Sequence, residues 1–183
     1  MSTLILGLVG PLASGKGTVK KYIVEKYGGQ DCRFSSILRD VLKRLSLDIS
    51  RDNLINISTI LRQNFGQDLL AKAIANDAKN FDADIVVIDG VRRMEDIQYL
   101  REIKGFVLLS IDADEKVRYG RMVARNENAG DNKKTFEEFL ADHKRETELT
   151  IPGVMKIADN VVDNSGTLDE LHAQIDKIIK HYK

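Results

Sequence analysis

The sequence has little cysteine, little net charge and no long apolar run, and each shortage excludes a class of protein. Its one cysteine, Cys32, cannot form an intramolecular disulfide and excludes a metal site built on cysteines, so we expect a reducing, cytoplasmic compartment. Basic and acidic residues balance at 28 each, which argues against nucleic acid as the main partner. The first apolar run, residues 4–9, is too short to cross a membrane and lacks a basic flank, so we expect neither a signal peptide nor a transmembrane helix.

Two functional motifs, one catalytic and one for guanine recognition, are missing as well. The three histidines, at positions 143, 172 and 181, fall on predicted helices away from strand ends, as surface residues would, which argues against a Ser–His–Asp set. The segment 132–135 reads Asn-Lys-Lys-Thr and lacks the final aspartate of a guanine-reading Asn-Lys-x-Asp motif. A GTPase switch is therefore disfavoured.

Apolar runs typical of buried strands alternate with helical patterns, which predicts an α/β fold with a mostly parallel sheet. The predicted strands are residues 4–9, 31–34, 85–88, 106–111 and 160–162. Residues 35–81 carry amphipathic helical patterns without a strand and form an insertion in the alternation. Ser35, Asp114 and Thr167 are predicted helix caps, residues 94–103 a helix, and Pro152-Gly153 a break. We expect one domain, residues 1–183, that acts as a monomer or small homo-oligomer.

A phosphate-binding loop follows the first predicted strand. Gly10 and the pair Gly15-Lys16 have the spacing G-x-x-x-x-G-K, between a strand and a helix. Glycines let backbone N–H groups turn toward a phosphate, the helix N-terminus adds positive charge, and the lysine reaches the β- and γ-phosphates. The general pattern has Ser or Thr directly after the lysine, whereas here Gly17 follows and the hydroxyl comes at Thr18. The predicted ATP-binding residues are Gly10, Ala13, Ser14, Gly15, Lys16, Gly17 and Thr18.

Asp89 ends the predicted strand 85–88, and ligands of open α/β sheets bind at such strand ends. We therefore predict that Asp89 and Thr18 lie near a Mg²⁺ ion held with the ATP phosphates. The alternative for Asp89 is an ordinary cap of the following turn.

Arginines are placed where a phosphate could use them, because the planar guanidinium suits phosphate oxygens. Arg92 and Arg93 directly follow Asp89-Gly90. Arg118, Arg121 and Arg125 share one helical stripe that leads into a polar loop, as a lid over phosphates would require, and Arg118 is the weakest of the three. Two further arginines, Arg39 and Arg62, lie in the helical insertion.

These motifs resemble the small P-loop kinases of the nucleoside-monophosphate-kinase-like superfamily. The run from Gly10 to Thr18 is similar to the adenylate kinase loop, including the glycine after the lysine, although Ala13 stands where that family has glycine. Residues 88–93, Ile-Asp-Gly-Val-Arg-Arg, resemble the family's Asp-Gly-Phe-Pro-Arg without the proline. Residues 35–39 resemble the segment that carries an acceptor-binding arginine.

The resemblance implies a three-layer P-loop kinase fold: a five-stranded parallel sheet with helices on both faces, an acceptor-binding insertion at 35–81 and a short lid at about 126–134. It implies transfer of the ATP γ-phosphoryl group to a small phosphorylated acceptor, with Mg²⁺ as cofactor. The acceptor-binding residues would be Arg39, Arg62, Asp89, Arg92 and Arg93. The catalytic residues would be Lys16, Arg93, Arg121 and Arg125, with Arg92 as an alternative to Arg93.

The acceptor itself has two candidates. The arginine-bearing insertion favours a nucleoside or deoxynucleoside monophosphate. The segment 158–171 is similar to the end of dephospho-CoA kinases, yet residues 34–37, Phe-Ser-Ser-Ile, lack the acidic motif of those kinases. A function of another class, a non-kinase P-loop ATPase or a nucleotide-binding regulator, would not need the insertion and lid.

Overall fold

A five-stranded, fully parallel sheet forms the centre of the protein in this computed structural model, which describes residues 3–125, 131–143 and 146–183. The strands are β1 Leu4–Val9, β2 Gln30–Arg33, β3 Ile85–Asp89, β4 Phe106–Asp112 and β5 Asn160–Asp163. They lie in the order β2-β3-β1-β4-β5. The first strand thus lies in the middle, and the carboxyl ends of all five strands meet at one edge.

Helices connect the strands and cover both faces of the sheet. Their bounds are α1 Lys16–Tyr27, α2 Phe34–Arg44, α3 Arg51–Phe65, α4 Leu69–Asn80, α5 Met94–Gln98, α6 Glu115–Arg125, α7 Phe136–Asp142, α8 Glu146–Leu149, α9 Ile151–Met155 and α10 Leu168–Tyr182, with a 3₁₀ turn at Asp131–Lys133. No helix in the described ranges is long and apolar enough to cross a membrane.

Two apolar clusters flank the sheet, because successive side chains of a strand point to opposite faces. Leu4, Leu6 and Leu8 of β1 pack with α1 and α10, whereas Ile5 and Val9 pack with α2, α4 and α9. The central strands β1, β3 and β4 are buried on both faces, as their continuous apolar runs require. This rigid centre fixes the loops at the carboxyl edge.

The sequence located the elements well and some of their ends poorly. The helices α2, α3 and α4 fill the predicted insertion, and Thr167 caps α10 by accepting a hydrogen bond from the Glu170 amide. Ser35 is not a cap, because α2 begins directly after β2 at Phe34. Pro152 does not break the chain, because a proline at the start of a helix such as α9 forfeits no helical hydrogen bond.

Two predicted segments are shorter or only partly described. The predicted helix 94–103 is helical only over Met94–Gln98, and turns then lead to Gly105, whose positive φ redirects the chain into β4. Of the predicted lid, residues 126–130 lie outside the described residues, and the described part is the 3₁₀ turn with the segment that leads to α7.

Candidate nucleotide and acceptor site

The strand register brings the predicted motifs together. In β1 and β3, Leu8 lies opposite Asp89, and in β2 and β3, Arg33 lies opposite Asp89. The loop 10–15, which follows β1, therefore begins beside Asp89. A cavity of about 840 Å³ opens there, and every predicted ATP-binding residue lines it. Its basic lining residues outnumber its acidic ones by six to two, so the cavity suits an anion.

The loop turns through two left-handed residues. Gly15 has φ 100° and Ala13 has φ 59°. A Cβ at Gly15 would overlap the side-chain amide of Asn164, so this position requires glycine both for its backbone angle and for space. Ala13 adopts its strained conformation with a Cβ, which is how the loop accommodates the departure from the adenylate kinase pattern.

Lys16 folds back over the loop. Its ammonium donates to the carbonyl oxygens of Gly10 at 2.6 Å and Pro11 at 2.9 Å. Burial lowers the pKa of Lys16 to about 8, although Asp89 and Glu148 partly oppose the shift. A buried ammonium whose nearest partners are neutral carbonyls would gain most from a phosphate, which supplies the missing negative charge.

Two hydroxyls of the loop have different surroundings. Thr18 is exposed and lines the cavity from the first turn of α1. Ser14 is fully buried, and its Oγ has no hydrogen-bond partner among the described residues. Gly17 has open space where a Cβ would be, so the first turn of the helix leaves room for a phosphate.

Asp89 lies where the sequence predicts a metal-facing carboxylate, and it is paired. Lys20, four residues after Lys16 on α1, approaches Asp89 Oδ2 at 3.0 Å and Asp31 Oδ2 at 3.1 Å. No cluster of three His, Cys, Asp or Glu side chains that could hold a metal occurs in the described part of the chain. The Thr18 hydroxyl and one carboxylate fit Mg²⁺ carried mainly by nucleotide phosphates and water, not a metal caged by protein.

A second cavity, of about 500 Å³, adjoins the first and shares Arg33, Asp89, Gly90 and Arg92 with it. Apolar side chains from α2, α3 and α4 form its floor. Its charged lining comprises five arginines and two aspartates, namely Arg33, Arg51, Arg62, Arg92, Arg93, Asp89 and Asp96. The cavity therefore suits a ligand with an anionic end and an apolar body.

Asp96 organises three of these arginines. Its buried carboxylate accepts hydrogen bonds from the backbone amides of Arg92 and Arg93, both at 3.0 Å. Its other oxygen lies 3.6 Å from the Arg62 guanidinium, whose pKa is lowered because the side chain is desolvated. Arg92 also approaches Glu148 at 3.6 Å. Arg39 is not brought to this site: it is exposed on α2 and lines neither of the two cavities.

The lid arginines divide into two kinds. Arg121 and Arg125 line a third cavity, of about 410 Å³, together with Ala13, Gly15 and Thr18. One terminal nitrogen of Arg121 lies 3.5 Å from Asn164, and the other is buried without a hydrogen-bond partner in the described structure.

Arg118, by contrast, is buried among neighbouring protein groups and lines neither the first nor the third cavity. It is 4% exposed, and it donates to the carbonyl oxygens of Ala113 at 3.0 Å and Leu12 at 3.3 Å. It also contacts His143 Nε2 at 2.6 Å. Because arginine can only donate, that nitrogen accepts, and the Nδ1 proton faces the Phe139 carbonyl oxygen at 3.0 Å. His143 is therefore packed against α6, the helix that carries the three lid arginines and is called the lid helix below, and it is not the surface histidine that the sequence predicts.

Among the residues of this site that sequence reasoning missed are Lys20, Asp31, Arg33, Asp96 and Asn164. Lys20 could have been found, because it lies one helical turn after Lys16. Arg33 could also have been found, because it lies one residue before the end of the predicted strand 31–34. Asn164 gave no signal: it donates to the Ser14 carbonyl oxygen at 2.8 Å across 150 residues, and only the fold brings the two together.

Comparison with known proteins identifies a family and relatives that this chain resembles in sequence. A protein-family profile described as AAA domain matches residues 9–139. A UPF0200 protein from Pyrococcus horikoshii is 30% identical over 181 residues, covering 96% of each chain. A UPF0200 protein from Methanoregula boonei is 30% identical over 176 residues, covering 96% of this chain and 95% of the relative.

Two solved structures share the architecture. A shikimate kinase from Bacteroides thetaiotaomicron aligns with TM-score 0.63 and 12% identity over 97% of each chain. TT1252 from Thermus thermophilus aligns with TM-score 0.61 and 18% identity over the whole of both chains. At these identities the likeness shows the fold alone. It confirms the predicted three-layer P-loop kinase fold, with a five-stranded parallel sheet between helices.

Proposed function

This chain belongs to the AAA domain family and, with its relatives, to the UPF0200 proteins, and we propose that it is an ATP-dependent phosphotransferase. Its acceptor is a small phosphorylated molecule, a nucleoside or deoxynucleoside monophosphate. One observation carries the proposal: a basic cavity over the phosphate-binding loop opens directly into a second cavity lined by five arginines. A donor and an anionic acceptor would meet where the two cavities share Asp89 and Gly90.

The loop holds the donor. Backbone amides from Gly15 to Thr18 face the β- and γ-phosphates, and Lys16 leaves the Gly10 and Pro11 carbonyl oxygens to pair with them. Bound Mg²⁺ would neutralise charge between these phosphates, with Thr18 and Asp89 beside it, directly or through water. Arg121 and Arg125 approach from the lid helix and stabilise charge on the transferred group.

The acceptor is held by Arg62, Arg92 and Arg93, which line the second cavity. An ionised phosphate attacks without a general base. A hydroxyl acceptor would need one, and Asp89 is the candidate in position. Its Oδ2 is already engaged by the Lys20 ammonium at 3.0 Å, so this oxygen is not free to accept the proton of a substrate hydroxyl. The pairing therefore favours a phosphate acceptor over a hydroxyl acceptor, and so favours a monophosphate over dephospho-CoA.

An acceptor panel tests the proposal. The protein is incubated with Mg-ATP and, separately, with each common ribo- and deoxyribonucleoside monophosphate and with dephospho-CoA, and ADP is measured. We expect ADP to form fastest with one monophosphate and not with the Lys16→Ala variant. Dephospho-CoA as the sole productive partner would replace the monophosphate with the second candidate. ADP formation at the same rate with and without acceptors would indicate an ATPase or a nucleotide-dependent regulator and would overturn the proposal.

The role of the lid is tested separately. Removal of the Arg121 guanidinium in Arg121→Ala should lower kcat by about 10³-fold or more, as the loss of an arginine finger does. An unaltered kcat would remove Arg121 from the mechanism.

A further inference from the structure

Lys20 lines the larger cavity and contacts a carboxylate from each of two neighbouring strands, β2 and β3. Its side chain is 9% exposed, and its ammonium is 3.0 Å from Asp89 Oδ2 and 3.1 Å from Asp31 Oδ2. One buried cation therefore serves two carboxylates, from β3 and β2. Such an arrangement leaves the carboxylates in competition for Lys20, because one ammonium cannot fully neutralise both.

Asp31 has a second cationic partner, Arg33. Arg33 donates from Nε to Asp31 Oδ2 at 2.9 Å, and its NH2 approaches the same oxygen at 2.8 Å. The Arg33 side chain is 47% exposed and lines both cavities. Lys20 and Arg33 thus share a single oxygen of Asp31. A stronger contact of Asp31 with one cation weakens its contact with the other.

The four side chains form a row of alternating charge: Asp89, Lys20, Asp31 and Arg33. The two ends of the row, Asp89 and Arg33, each line both cavities, and Lys20 lines the larger one. If a Mg–nucleotide complex were bound in the larger cavity, Asp89 would face a second cation, and Lys20 would be left with Asp31 as its main partner. Asp31 would then hold Arg33 less tightly, and the guanidinium would become available to an acceptor phosphate.

We propose that Lys20 and Asp31 are positioning residues that make acceptor binding depend on bound nucleotide, and that Arg33 is the acceptor-binding arginine they control. The inference rests on the proposed function in one respect: it assumes that the acceptor carries a phosphate. It assigns to Arg33 part of the acceptor-binding role that the sequence predicts for Arg39. The coupling has a sign: nucleotide raises acceptor affinity, by at least about fivefold on the scale of measured couplings.

Two variants break the row at different points. One should raise acceptor affinity in the absence of nucleotide, and the other should lower acceptor affinity in the presence of nucleotide. Asp31→Asn keeps the Lys20–Asp89 pair but releases Arg33, so the affinity without nucleotide should rise to the level that wild type reaches with nucleotide. Lys20→Met leaves Asp31 to Arg33 alone, so the affinity should stay low in both states. Both variants lose the coupling. Loss of structural support would weaken binding in both variants and would not produce opposite shifts.

The experiment is calorimetric titration of AMP, CMP, GMP, UMP, dTMP and inorganic phosphate into the full chain, with and without Mg²⁺ and a non-hydrolysable ATP analogue. Arg33→Met should weaken binding of the responding probe about tenfold or more in the presence of nucleotide. Arg44→Met and Lys43→Met are matched controls, because both residues are exposed on α2 and line neither cavity. Thermal unfolding of each variant verifies the fold.

The controls should keep the wild-type coupling. Equal acceptor affinity in wild type with and without nucleotide would overturn the inference. So would shifts of the same sign in Asp31→Asn and Lys20→Met, unchanged binding in Arg33→Met, or no binding of any probe. Because binding is measured without turnover, coupling can be found even if the ADP assay shows no phosphoryl transfer. The two proposals can therefore fail separately.

Discussion

Replacing Lys16 with methionine should change how the stability of the protein depends on pH. Burial lowers the pKa of this lysine from 10.5 to about 8 in the folded state. The unfolded chain therefore holds a proton between these pH values that the folded chain has lost. Stability rises with pH wherever the unfolded state binds more protons, so wild type should gain stability from about pH 8 up to about 10.5.

The gain in stability follows from the shift in the pKa of Lys16. Between pH 7 and pH 10, a lysine with these two pKa values adds at most about 2 to 3 kcal/mol to the free energy of unfolding. The Lys16 side chain keeps some exposure, and solvent screening reduces the gain below this limit. Lys16→Met lacks the titrating group and lacks this increment. All other groups titrate in both proteins, so they cancel in the difference between them.

Urea unfolding of both proteins at pH 7, 8, 9 and 10 measures this difference directly. We expect the free energy of unfolding of wild type, relative to Lys16→Met, to rise by roughly 1 to 3 kcal/mol across the series. A difference that stays constant with pH would refute the reasoning, because Lys16 would then titrate alike in the folded and unfolded chains.

Three further predictions concern the same region. ATP binding at pH 8 should take up as much as about half a proton per site, because the phosphates restore the charge on Lys16; calorimetry in two buffers of different ionisation enthalpy measures this, and equal heats would contradict it. Gly15→Ala should cost about 1 to 3 kcal/mol in urea unfolding and weaken ATP binding, because of its φ of 100° and the contact with Asn164, whereas Gly17→Ala, with open space at its Cβ, should keep wild-type stability. Arg118→Met should lower the free energy of unfolding by about 1 to 3 kcal/mol, since it removes the contacts with Leu12 and His143; an unchanged urea midpoint would show that these contacts contribute nothing.

The sequence predicted the parts of the site that are local in the chain. The spacing of Gly10, Gly15 and Lys16 specifies a turn between a strand and a helix, and neighbouring residues suffice to form it. Asp89 was equally predictable from the sequence, because the carboxyl ends of the strands in an open parallel sheet lie at the edge where ligands bind. Both motifs lie at the predicted edge of the sheet.

The missed parts depend on long-range contacts. Asn164 reaches the phosphate loop only because β5 lies beside β4. Arg39 and Arg33 illustrate the same limit: both lie near the start of the insertion, and only the direction of α2 decides which of them faces the cavity. For Arg118, a helical stripe predicted shared orientation with Arg121 and Arg125, but packing against His143 and Leu12 buries it.

If the protein moves a phosphoryl group to a second small molecule, the γ-phosphate of ATP must end on that molecule. Wild type is incubated with ATP labelled in the γ-phosphate and with the monophosphate that gives the fastest ADP formation, and the products are separated. We expect the label to move to the nucleoside diphosphate in wild type, and we expect Lys16→Ala to transfer none. Label recovered only as inorganic phosphate, at a rate that no acceptor changes, would contradict phosphoryl transfer to an acceptor.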